Sequence, residues 1–296
     1  MRLIYTKVSN AQRREKDKFP FWLWLNITGL DAPIVAVCWQ YFFASNYNIK
    51  IPFSNYLVLF LVVWVIYSVD RLLDSRVIRN DVNATSRHRF YYQNFKALLF
   101  ITVIISGLTI VLCLTTIPLA VLKFGITISC LVGVYFIHRK WGSGALLGFI
   151  PREVFVGMVF AIGSTLLGHT WTGEVPEAFL SISVIGFGVL CSMNCLAISV
   201  WEKEEDSFND RSALAQLAPK FPSFFPFISV MVFLIMSLVA CYLYFSKDFF
   251  ILLAASIGCG IISVMSFIES KISSRSLRIL ADVAVIVPAL VFLLFV

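Results

Sequence analysis

Two carboxylates four residues apart, Asp70 and Asp74, stand where a long apolar run gives way to Arg71, Arg76 and a polar stretch. If a helix continues through them, this spacing stacks both on one face, where like charges repel by roughly a few tenths of a kcal/mol. A divalent cation would offset that repulsion. Mg²⁺ takes one or two protein carboxylates and completes its shell with water and substrate phosphates. The other reading is a solvated helix end in which Asp70, Arg71, Asp74 and Arg76 form exposed ion pairs.

A second pair with the same spacing, Glu202 and Asp206, follows another apolar run. If the two ends meet on one side of a membrane, four carboxylates can hold two or more Mg²⁺ ions against a diphosphate, which needs positive charge around its oxygens to depart. The alternative is an acidic solvated loop, to which Glu204, Glu205 and Asp210 would also belong. Arg139 and Lys140 would clamp the diphosphate, the first through its fork and the second as a point charge, and Arg76 is a similar case. Each serves equally well as a topological charge on an inner loop. Arg152 and Glu153, adjacent and of opposite sign, read as mutually neutralising. Asn26, Asp31, Asn194 and Asp282 fall inside apolar runs, where an ionised group is costly unless it faces a cavity or a partner. They suggest a polar-lined cavity; bonds between neighbouring helices would account for them too. His88, His138 and His169 have no zinc spacing and read as solvated.

The elements that must position these residues follow from composition. Of 296 residues 59% are hydrophobic and only 14% charged, which is incompatible with a soluble domain of this length. Apolar runs long enough for a helix to cross about 30 Å of hydrocarbon recur throughout. We read an all-α, polytopic bundle of nine transmembrane helices at about 19–43, 53–69, 97–115, 118–137, 145–167, 178–200, 223–245, 249–267 and 277–296. The first run is longer than a signal-peptide core and is expected to remain as a helix. All Lys and Arg but Lys50, Lys123 and Lys247 then fall on the side of the N-terminus, which the positive-inside rule places in the cytoplasm, with the carboxylate pairs. That distribution explains the net charge of +7 without nucleic acid. The seven cysteines all lie in apolar runs and form no Cys-x-x-Cys, so they read as packing residues. No linker divides the chain, and 1–296 is taken as one domain.

On these motifs the chain resembles the UbiA superfamily of intramembrane prenyltransferases, nine-helix bundles with aspartate-rich motifs after helices two and six. Asp70 and Asp74 match the end of the first motif; Glu202, Asp206 and Leu214 match the second; Tyr135, Arg139 and Lys140 are similar to a diphosphate-contacting loop. Ile66 and Tyr67 stand where the family usually has Asn-Asp, and Ile198 and Ser199 where polar residues are common. The resemblance implies a membrane-embedded, Mg²⁺-dependent enzyme that ionises an isoprenoid diphosphate and transfers the prenyl group to an acceptor. Asp70, Asp74, Glu202 and Asp206 would hold metal; Arg139 and Lys140 would act on the diphosphate, with Arg76 and Asn194 as further substrate contacts. A terpene cyclase is the nearer alternative. A transporter or non-catalytic membrane protein is the rival from another class, to be favoured by inverted repeats or broken mid-membrane helices.

Overall fold

The structure, a computed structural model, describes residues 23–78, 86–141, 151–171, 181–204 and 213–296, with side chains except those of 76–78, 86, 135–141, 168–171 and 275. The described residues are helical and contain no strand. In chain order the helices are α1 (Trp24–Thr28), α2 (Asp31–Asn46), α3 (Phe53–Ile78), α4 (Ser86–Gln93), α5 (Phe95–Thr116), α6 (Leu119–Trp141), α7 (Arg152–Trp171) and α8 (Ile182–Trp201). The short α9 (Leu214–Leu217), then α10 (Phe221–Tyr242), α11 (Phe249–Ile268) and α12 (Ser274–Phe292) complete the fold. Five of these, α3, α5, α8, α10 and α11, are long and apolar enough to cross a bilayer, as in an integral membrane protein.

The centre is built by α2 and α8. α8 packs on α7, α11 and α12, and α2 packs on α3, α7 and α12. Trp39 of α2 is fully buried, stacks on Phe187 of α8 at 4.0 Å and donates its indole N–H to the Val285 carbonyl of α12 at 3.0 Å. Small residues allow the closest approach: a Cβ on Gly157 of α7 would stand 2.6 Å from the Ser192 Cα of α8. α5 and α10 turn most of their apolar surface outward, as lipid-facing helices do.

The sequence reading is corrected at the first run, which is not one helix through 43. Gly29 takes a left-handed φ of 74° and closes α1, with Leu30 N–H donating back to the Leu25 carbonyl. The chain then restarts at Asp31. Arg71 Nη1 donates to the carbonyls of Asn26 and Ile27 at 2.6 and 3.1 Å, and Trp64 Nε1 to that of Thr28 at 3.2 Å. Carbonyls released by the break are thus re-satisfied by side chains of α3, as an apolar environment requires. α3 runs on to Ile78, so Asp70 and Asp74 do share one helix as expected. α4, which lies in the segment read as a loop, packs on α1, α3 and α5.

Candidate functional site

A cavity of about 730 Å³ lies among α3, α5, α6, α7 and α8, with contributions from α2, α4 and α12. Most of its wall is aliphatic, for example Leu59, Ile110, Leu122 and Leu166. One end is strongly polar, because α3 and α8 finish there while α7 and α12 begin. That end unites acids and bases far apart in sequence: Asp70 and Asp74 of α3, Arg87 and His88 of α4, Arg152 and Glu153 of α7, and Glu202 with Arg278 of α12. Deeper in the same cavity lie Asp31, Asn194 and Asp282. α5 packs on α3 and α6 on α7, whereas among the described residues α5 and α6 scarcely touch.

Asp70 and Asp74 both line the cavity. Arg71 does not join them in exposed ion pairs: it is buried, reaches across to the α1 carbonyls, and stands 3.8 Å from the Asp31 carboxylate and 5.8 Å from the Tyr91 ring centre. His88, read as solvated, is buried, with Nε2 3.9 Å from the Asp74 carboxylate. Its position follows from α4, whose Tyr91 is buried against the bundle while Phe90 makes an edge contact with Trp24.

Glu202 is the best-anchored acid of the site. Arg278 Nη1 lies 2.8 Å from both its oxygens and Arg87 Nη2 3.3 Å from Oε2. A metal ion at Glu202 would have to displace these guanidinium contacts, which buried charge makes costly. Asn194 donates to Asp282 at 3.4 Å, and Asn26 to Asp31 at 2.6 Å, so all four polar residues inside apolar runs bond between elements, and Asp31, Asn194 and Asp282 also line the cavity. Asp206 lies outside the described residues, as do the side chains of Arg76, Tyr135, Arg139 and Lys140.

Among the described residues no group of three acidic, histidine or cysteine side chains converges to hold a metal ion. A pair of carboxylates on the wall of a cavity is nevertheless a donor set that suits Mg²⁺, which needs few protein ligands when phosphate and water supply the rest. Sequence reasoning missed Arg87, Arg278 and Glu153 as site residues. The signal for Arg87 was the stretch Arg87-His88-Arg89-Phe90-Tyr91-Tyr92, too aromatic for a purely solvated loop. No family model matches the chain, and no curated protein or solved structure matches it either.

Proposed function

We propose that the protein is a membrane-embedded, Mg²⁺-dependent prenyltransferase of the UbiA type, with nine spans and its polar cavity mouth on the cytoplasmic side. The observation that supports this best is the amphipathic cavity, whose one end carries Asp70, Asp74 and three arginines and whose remainder is aliphatic. Its volume falls in the range of about 300–1,000 Å³ usual for small-molecule sites. A prenyl diphosphate has this division of character, with an anionic head and an apolar tail.

In the proposed reaction Asp70 and Asp74, with Asp206, hold the Mg²⁺ that neutralises charge on the diphosphate. Glu202 serves instead as counter-ion to Arg278 and Arg87, fixing their guanidinium planes at the cavity mouth. Arg139 and Lys140 add positive charge from the neighbouring loop. As the carbon–oxygen bond breaks, the electron pair leaves on the diphosphate oxygen, and cations oriented beforehand stabilise that developing charge without reorganising. Aliphatic walls exclude water from the allylic cation until an acceptor attacks it. In a terpene cyclase the same cation would close on its own chain.

The break at Gly29 is the one observation that favours a transporter, because discontinuous helices there present freed carbonyls to an ion. Here those carbonyls are occupied by Arg71, Trp64 and Tyr91, which makes the break structural. The test is to give purified protein Mg²⁺ and prenyl diphosphates of several lengths, then follow diphosphate release and products by mass spectrometry. Release that depends on Mg²⁺ and is abolished by Asp74→Asn is expected. Binding without release, across all chain lengths, would refute the enzyme reading.

A further inference from the structure

Glu153 is a buried carboxylate that the diphosphate chemistry leaves unused. It sits in the first turn of α7, is 3% exposed and lines the cavity. Its Oε1 accepts the Leu214 backbone N–H at 3.0 Å, tying α7 to the start of α9, and lies 3.4 Å from Arg152 Nη2. Its Oε2 is buried and has no hydrogen-bond partner among the described residues. Two further cavity-lining atoms on the facing helix α8, Asn194 Oδ1 and Ser199 Oγ, are buried and unpartnered as well.

Buried polar atoms are nearly always bonded, so a buried carboxylate oxygen without a donor, on a residue that lines a cavity, marks a place for something that donates. The diphosphate is an unsuitable occupant, since it has no proton to give at neutral pH and Glu153 would repel it. A neutral O–H or N–H group meets the requirement. Resting on the prenyl-transfer reading, we propose that Glu153 binds the hydroxyl or amino group of the prenyl acceptor and takes its proton, with Asn194 and Ser199 as flanking contacts. For a hydroxyl acceptor, the bond from the allylic carbon to the diphosphate oxygen breaks first, and an oxygen lone pair of the hydroxyl then forms the bond to the allylic cation. The diphosphate departs with its electron pair, the hydroxyl proton moves to Glu153 Oε2, and a neutral ether remains. An amine reacts likewise, giving the N-prenyl amine and the same proton on Glu153.

The experiment compares a long-chain alkylphenol with its methyl ether, nearly equal in shape and differing by one donor hydrogen. Binding is measured on the full-length protein in lipid nanodiscs by displacement of the radiolabelled phenol. A hydrogen bond to a charged acceptor should favour the phenol by about tenfold or more. Glu153→Gln can keep the contact with Leu214 N–H while placing an amide N–H₂ at the open position, so the preference should fall to about twofold or less. Prenyl diphosphate binding by Glu153→Gln should not weaken, since the substitution only removes a repelling charge. Equal binding of phenol and ether by the wild type overturns the proposal, and needs no variant that folds. A preference retained in Glu153→Gln overturns the role of Glu153. Failure of the wild type to bind any prenyl diphosphate would instead sink the transfer reading, while the phenol preference would still be measured independently.

Discussion

Replacing Glu202 separates a counter-ion from a metal ligand. In Glu202→Ala, Arg278 and Arg87, whose side chains are only 18% and 16% exposed, lose the carboxylate that holds them. Leaving a buried charge unpaired typically costs about 3–5 kcal/mol; with Arg278 contacting both oxygens and Arg87 at the longer distance, about 3 kcal/mol is expected here. For a chain of this size that is a fall in Tm of roughly 5–10 °C. The buried thiols of Cys191 and Cys259 supply the assay, because a thiol-reactive fluorophore labels them only as the bundle opens. Adding Arg278→Met to a Glu202→Leu background should restore much of the loss, since one orphan charge leaves with its partner. The metal-ligand role makes a different prediction: Glu202→Ala would keep its Tm without Mg²⁺ and lose only the stabilisation that Mg²⁺ adds. An unchanged Tm in metal-free buffer would refute the ion-pair argument.

Arg71→Met should cost about 3–5 kcal/mol in the same thermal assay, because it removes the donor to the Asn26 and Ile27 carbonyls and the cation beside Asp31. Gly29→Ala should cost about 1–2 kcal/mol, its Cβ being disfavoured at φ 74° and meeting the Arg71 guanidinium at 3.1 Å. Gly157→Val should prevent normal assembly, seen as aggregation on size-exclusion chromatography, since backbone of α8 occupies the space.

The all-helical bundle and most helix positions were legible because apolar runs of membrane length have few other outcomes. The continuation of α3 through Asp70 and Asp74 was only a condition in the sequence reading, which drew that run to 69, whereas the helix extends to Ile78. The break at Gly29 was not legible, since a glycine inside an apolar run is common in membrane helices, and what stabilises the break is Arg71, which lies 42 positions further on. The pairing of Glu202 was equally hidden. Its partners come from α12 and α4, and each looked like one more basic residue obeying a topological rule. Charge type can be read along a chain; which acid meets which base is decided by how helices pack.

The two polar ends of the bundle show why pairing matters more than residue type. At the end where α2 stops and α8 and α11 start, Asp248 accepts from the hydroxyls of Tyr47, Ser183 and Ser246, and Asn46 bonds to the Lys247 carbonyl. Burial, reinforced by the Asp248 carboxylate, pushes the Tyr47 phenol up, so it stays a donor at any physiological pH. Both oxygens of Asp248 are used, and the cluster is a clasp joining three elements. At the cavity end the same residue types are arranged differently. Glu153 Oε2, Ser199 Oγ, Asn194 Oδ1 and Arg278 Nε are buried without partners beside an open volume. An unbonded polar atom in an apolar interior is unfavourable to folding. On residues that line a cavity, such atoms are compensated when a molecule carrying the complementary groups enters, which is why the proposed binding is assigned to this end.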